Sequence, residues 1–186
     1  MKKYNIAIVG ATGNVGRKII EILVERKFPF KRIELLASEK STGTKIPFLK
    51  RKSIEVKNLN GYDFKGTDIV LSSAGSEISK EFAPEATKKG AVIIDNTSQF
   101  RMDKDIPLVV PEVNPETIKD FKKKRIIANP NCSTIQMVTA LKPLHDEFNI
   151  KRIVVSTYQS TSGAGKSAMD ELFHQTLDVY KEKPLI

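Results

Sequence analysis

Cysteine, histidine and tryptophan are scarce in these 186 residues, with one, two and none respectively. With Cys132 alone no intramolecular disulfide can form, so a small fold stapled by disulfides is excluded and a reducing cytoplasm is the expected compartment. Cys132, His145 and His174 do not amount to a zinc constellation, and no metal is expected. Long apolar runs are missing too. The longest are strand-sized, such as Ile6–Val9 and Ala91–Ile94, against the ~18 residues of a membrane-spanning helix. The opening Met1-Lys2-Lys3 imitates a signal peptide only faintly, because the apolar stretch after it stops at Gly10 and a glycine-rich turn follows.

What is plentiful is positive charge, 31 Lys+Arg against 22 Asp+Glu for a formal net charge of +9. The densest clusters are Lys50-Arg51-Lys52 and Lys122-Lys123-Lys124-Arg125, and neither is interleaved with aromatic residues. Nucleic-acid binding needs stacking residues or a recognition helix as well as charge, so these read as solvated faces. Neither a nucleic acid nor a membrane is an expected partner.

Apolar runs of strand length alternate with segments of helical period, the pattern of a parallel sheet with crossover helices. Strands are expected at Tyr4–Val9, Ile33–Ala37, Ile54–Val56, Ile69–Ser72, Val92–Asp95, Leu108–Val110 and Arg125–Ala128. Helices are expected from Asn14 to about Arg26, with Val15, Ile19, Ile22 and Leu23 as its apolar stripe, and at Ser76–Lys89 and Pro115–Lys123. After Asn129-Pro130-Asn131 a new unit begins, with a helix at about Ser133–Phe148, a β-branched strand at Arg152–Thr157 and a helix from about Ala164 to Lys183. The expected fold is therefore α/β: a doubly wound, Rossmann-like parallel sheet over residues 1–130, then over 131–186 the opening of an α+β catalytic and dimerisation domain.

Between the first strand and helix lies Gly10-Ala11-Thr12-Gly13-Asn14-Val15-Gly16. Glycines there let the backbone turn tightly and approach a pyrophosphate, which the helix N-terminus then holds. The spacing is G-x-x-G-x-x-G, a departure from the plain G-x-G-x-x-G form. At the end of the second strand an acidic residue would take the ribose 2′-hydroxyl of NAD. Here the run is Ser38-Glu39-Lys40-Ser41-Thr42-Gly43, whose hydroxyls and lysine suit a 2′-phosphate, so NADP is the expected cofactor. Glu39 is the dissenting residue. Cys132 stands where a helix begins, facing unpaired N–H groups and the positive dipole end that favour a thiolate nucleophile; the competing reading is a small buried hydrophobe.

These runs, together with Ser72-Ser73-Ala74-Gly75-Ser76, Asp95-Asn96-Thr97-Ser98, Phe100-Arg101-Met102-Asp103, Val109–Asn114, Asn129–Gln136 and Tyr158-Gln159 with Ser162–Gly165, resemble the bacterial aspartate-semialdehyde dehydrogenases along the whole chain. The resemblance implies NADPH-dependent reductive dephosphorylation of L-aspartyl-4-phosphate to aspartate 4-semialdehyde, on the way to lysine, diaminopimelate, threonine and methionine. By it, Cys132 is the nucleophile that carries the thioacyl group, Gln159 orients the substrate, Arg101 binds its phosphate, and Asn131 lends a polar contact. Gly10, Thr12, Gly13, Asn14 and Val15 match the phosphate turn, Ser38, Lys40, Ser41 and Thr42 the adenosine-phosphate contacts, and Ser73, Gly75, Ser162 and Gly163 further cofactor contacts. A homodimer is implied. The family's acid/base histidine lies downstream of the matched motifs, and neither His145 nor His174 replaces it. The chain by itself is accordingly expected to bind NADP(H) weakly and not to turn over. The alternatives are a remnant that only binds NADP, and the related N-acyl-glutamyl-phosphate reductase, against which Asn-Cys-Ser-Thr around Cys132 argues.

Overall fold

Tyr4–Val9 forms the central strand, β1, and its consecutive apolar residues divide between two layers. Ile6 and Ile8 pack with Ala11, Ile20, Leu23 and Leu35, while Ala7 and Val9 pack with Leu36, Val70, Phe82 and Ile93. A strand covered on both faces needs apolar residues at every position, which is why the run does not alternate. The structure, a computed structural model, describes residues 2–48 and 52–181. Lys50 and Arg51 of the first basic cluster and the expected end of the last helix lie outside the described residues.

In Met1–Ile150, the first of two compact units, the further strands are β2 (Phe30–Ala37), β3 (Lys45–Phe48), β4 (Lys52–Asn58), β5 (Ile69–Ser72), β6 (Val92–Asp95) and β7 (Ile126–Ala128), and the helices are α1 (Asn14–Glu25), α2 (Ser76–Lys88) and α3 (Cys132–Phe148). The sheet order is β3-β4-β2-β1-β5-β6-β7, parallel except for the β3–β4 pair. From β1 the chain winds outward to β2 and β4 on one side and to β5, β6 and β7 on the other, so the expected doubly wound α/β fold is what forms. Register levels the strand ends: Val9 lies opposite Leu36 and Ser72, Ser72 opposite Asp95, and Asp95 opposite Ala128. The switch point between β1 and β5 is where such sheets bind ligands.

Three local expectations in this unit are corrected, and one strand is additional to them. In α1 the buried residues are Gly16, Ile20 and Leu23, whereas Val15 and Ile22 of the expected stripe are 47% and 36% exposed; the contact face is centred on a glycine, which carries no hydrophobic signal. The strand β3 contains Pro47, paired with Ser53 at the sheet edge, and a proline hides an edge strand from pattern reading. Leu108–Val110 makes a single parallel bridge, Leu108 to Ala128, because the Asn114 side chain accepts from Val110 N at 2.8 Å and donates to Leu108 O at 2.9 Å, competing with a ladder. Pro115–Lys122 is 3-10 rather than α-helical.

Beneath the strand ends lies one buried carboxylate. Asp95 accepts from Ser79 Oγ at 2.7 Å and from Thr97 Oγ1 at 2.6 Å, and Ser79 Oγ meets Ser72 Oγ at 2.9 Å. A carboxylate withdrawn from water needs such partners, and these tie β5, α2 and β6 together.

The second unit, Lys151–Ile186, holds a 3-10 turn at Thr161–Ala164 and helix α4, Lys166–Tyr180. The expected strand at Arg152–Thr157 does not form. Ile153 and Val154 are 50% and 86% exposed; β-branched composition cannot close a ladder without a partner strand, and none is present among the described residues. Among the described residues no helix is long and apolar enough to cross a membrane.

A Cβ at Gly16 would stand 2.2 Å from the carbonyl oxygen of Gly10 and 2.8 Å from Ala11 Cα, both backbone atoms that cannot step aside. Gly16→Ala is expected to cost about 2 kcal/mol or more. Gly61→Ala, with φ +76 and open space, meets only left-handed strain of about 1 kcal/mol. Urea denaturation of the two variants checks the order.

Candidate active site

At the end of β1 the chain must leave the sheet and begin α1 within a few residues. Gly10 does this at φ +83, where an added Cβ would lie 2.9 Å from the Ser73 carbonyl carbon. Its N–H donates to Leu36 O at 2.9 Å, and its carbonyl accepts from Gly13 N at 3.1 Å. The turn is thus pressed between β2 and the segment after β5, with Ser73 N donating to Val9 O at 2.9 Å. The N-terminus of α1 opens from it behind Gly13, a cap residue with no side chain of its own to bond the first N–H groups. That is a cradle for an anion approached by backbone alone.

A cleft of about 1000 Å³ runs from this turn. Of the expected cofactor residues, Gly10, Thr12, Gly13, Ser38 and Ser73 line it; Asn14, Val15, Lys40, Ser41, Thr42 and Gly75 do not. Ser38 and Thr42 flank the 3-10 turn Glu39–Ser41, whose Ser41 Oγ lies 3.5 Å from Thr12 Oγ1, so a hydroxyl after β2 reaches back to the glycine turn. Glu39 lines the cleft as well. Asn58, Leu59, Tyr62 and Phe64 also line it, which the motifs do not indicate. The signal was topological: β4 runs parallel to β2, so the loop after it opens on the same edge of the sheet.

Cys132 is the first residue of the 17-residue helix α3 and is exposed. Asn131 is the cap of that helix, its side-chain oxygen accepting from Ser133 N at 2.9 Å and Thr134 N at 3.4 Å. The side-chain oxygen of Asn131, one of the residues expected at the substrate, is thus engaged by the helix it caps. Arg101 is half-buried and anchored: Nε donates to Asn129 O and Nη2 to Asn96 O, both at 3.0 Å. One edge of the guanidinium is spent on backbone, and the Nη1–Nη2 end is the edge left to face an anion. Asn129 Nδ2 donates to Asn96 Oδ1 at 2.6 Å. The two asparagines were visible in the motifs, yet nothing in the linear order showed that they meet.

Within the second unit Gln159 folds over Gly163, where a Cβ would come within 2.3 Å of Nε2, and Ser162 Oγ lies 3.0 Å from Ser160 Oγ. The histidines stand on helices: His174 Nδ1 is 2.7 Å from Asp170 O one turn back, and His145 is in the last turn of α3. Among the described residues no group of three His, Cys, Asp or Glu side chains could hold a metal ion.

Residues 5–121 match the family described as semialdehyde dehydrogenase, NAD binding domain, and residues 141–185 match semialdehyde dehydrogenase, dimerisation domain. The chain belongs to the semialdehyde dehydrogenase family. It is 60% identical over 174 residues to an aspartate-semialdehyde dehydrogenase of Aquifex aeolicus, covering 93% of this chain and 51% of that protein. It superposes with TM-score 0.94 and 52% identity on aspartate semialdehyde dehydrogenase II of Vibrio cholerae complexed with ASA, covering all of this chain and 55% of that one. Against aspartate semialdehyde dehydrogenase with NADP from Candida albicans the TM-score is 0.65 at 28% identity, over 80% of this chain and 48% of the other. The chain spans about half the length of the curated relatives it matches. As in a semialdehyde dehydrogenase, then, the glycine turn and cleft belong to the NAD-binding domain, while the dimerisation-domain match begins inside α3.

The capping role of Asn131 has its own consequence. Asn131→Ala should cost about 1 kcal/mol of stability, whereas Asn131→Asp, which keeps an acceptor for the same N–H groups, should cost close to nothing. Paired urea titrations read the difference.

Proposed function

We propose that this chain supplies the cofactor-binding and nucleophile-bearing part of an NADP-dependent aspartate-semialdehyde dehydrogenase, which reduces L-aspartyl-4-phosphate to aspartate 4-semialdehyde with release of phosphate. The observation that carries the reading is the sole cysteine, exposed at the start of a capped helix that follows the last parallel strand of a sheet whose switch point bears the glycine turn. Residues 1–130 would form the cofactor domain and 131–186 the opening of the catalytic and dimerisation domain. A cytoplasmic homodimer serving lysine, threonine and methionine synthesis is the setting this reading implies.

The fit to a dinucleotide rests on the missing Cβ atoms. Gly10 and Gly16 lie against backbone on the inner side of the turn, and the N-terminus of α1, behind Gly13, offers the positive end of the helix dipole to a pyrophosphate. Ser38, Lys40, Ser41 and Thr42 supply hydroxyls and a charge for a 2′-phosphate, with Thr12 joined to Ser41. The sulfur of Cys132 attacks the acyl carbon of the aspartyl phosphate, the carbon–oxygen bond to phosphate breaks, and a thioester forms on Cys132. Arg101 turns its Nη1–Nη2 end to the departing phosphate, and Gln159 orients the amino-acid end. When bound, NADPH supplies the hydride that reduces the thioester carbon, after which the aldehyde leaves and the sulfur is restored.

The cofactor reading has a binding test. NADP should raise the melting temperature of the chain more than NAD at equal concentration, because only NADP uses the hydroxyl cluster after β2; an equal or larger shift with NAD would give the selection to Glu39. The reaction is tested as phosphate-dependent NADPH formation from aspartate semialdehyde and NADP, catalysed by the polypeptide carrying this sequence. Cys132→Ala should abolish it, a loss of at least ~10⁴-fold for a missing covalent nucleophile. Turnover that survives in Cys132→Ala would overturn the assignment.

A further inference from the structure

We propose that Asn96 and Asn129 are positioning residues for this site: their side-chain hydrogen bond sets the spacing of the two backbone carbonyls on which Arg101 is mounted, and so aims the free end of its guanidinium toward the turn that carries Cys132. The inference rests on the reading of Arg101 as the phosphate-binding residue and adds to it the device that makes the residue directional.

The geometry is a closed triangle. Arg101 Nε and Nη2 donate to Asn129 O and Asn96 O at 3.0 Å each, and Asn129 Nδ2 donates to Asn96 Oδ1 at 2.6 Å. The Nε and Nη2 hydrogens form one rigid edge of the planar fork, so both bonds are good only when the two carbonyls keep one separation. Those carbonyls belong to residues just beyond neighbouring strands. Asn96 N is fixed to Ser72 O at 2.9 Å and Asn129 N to Asp95 O at 2.8 Å, so the ladder holds the start of each segment. Past that point the segments diverge, one into the loop leading to Arg101 and the other into Pro130, Asn131 and Cys132. The Asn96–Asn129 bond is the side-chain link that closes them again, three residues before the nucleophile. An arginine held only at its stem would sweep a wide arc on its flexible chain; pinned along one edge, it presents the other edge in one direction.

Cys132 is the only cysteine, so its chemistry can be followed without interference. The rates of alkylation by iodoacetate, an anion, and by iodoacetamide, its neutral counterpart, are measured on the 186-residue chain and expressed as a ratio, which reports the positive charge at the thiol while cancelling its intrinsic reactivity. Arg101→Ala should lower the ratio by about three- to fivefold, the scale of one partly screened charge. Asn96→Ala, which leaves both carbonyls and Arg101 in place, should lower it by about twofold or more with the melting temperature still above that of the assay, and should have no further effect in the Arg101→Ala background. If Asn96→Ala does not fold, Asn129→Ala removes the donor end of the same bond and is held to the same result. A ratio lowered by Arg101→Ala and untouched by the asparagine variants, or asparagine effects that persist without Arg101, would overturn the positioning role while leaving the reading of Arg101 intact. A ratio untouched by Arg101→Ala would overturn that reading, and the positioning role with it.

Discussion

The structure depends on two places where backbone touches backbone with no space for a side chain. Gly10 lies against Ser73 and Ala74, and Gly16 lies against the carbonyl of Gly10. The first contact lets the end of β1 sit flush between its neighbours; the second lets α1 start immediately above it. Everything else follows from those approaches. Because α1 is seated so low, Ile20 and Leu23 reach the layer formed by Ile6, Ile8 and Leu35. The same two glycines therefore close the core on one side and open the anion cradle on the other.

On the opposite side of the switch point the organising group is polar. Asp95 is fully buried, and its oxygens are satisfied by the hydroxyls of Ser79 and Thr97, with Ser72 joined through Ser79. Apolar residues could fill that volume, but they would leave α2 without the directional bonds that Ser79 makes to β5 and β6. Hydroxyls around a carboxylate fix a register, since each bond is directional and an unmet one in a dry interior is costly. Asn96, next in sequence, inherits that fixity and passes it to Arg101.

The sheet could be read from the sequence because burial on both faces writes itself as unbroken apolar runs, and the glycine turn because its position between strand and helix is a local fact. In α1 the hydrophobic pattern marks Ile19 and Leu23 but not the centre of the contact face, which is Gly16, a residue silent in any hydrophobic pattern. Pro47 concealed an edge strand whose missing N–H is harmless only in its sheet context. Asn114 removed a strand at Leu108–Val110 by bonding its own neighbours, and residue type alone does not show whether an asparagine will turn inward in this way. Of the proposed site, Cys132, Arg101 and the hydroxyls after β2 stand out in the motifs, but the cleft lining from Asn58 to Phe64 needed the knowledge that β4 returns beside β2. The Asn96–Asn129 contact joins residues 33 apart and leaves no trace in the linear order.

The proposed nucleophile, Cys132, shows how the bonds around a residue can matter more than its own packing. Cys132 is exposed, and the apolar residues in the first turns of α3, Ile135, Met137 and Val138, are only half-buried. The residues before the helix fix its start as well. Asn129 is bound through its amide nitrogen, carbonyl and side chain, Pro130 is buried with its φ restricted by the ring, and Asn131 turns the chain into the helix by capping it. Three consecutive residues thus each remove a different freedom. An exposed thiol can then be both accessible to a substrate and fixed in direction, which is the combination a nucleophile at the edge of a sheet requires.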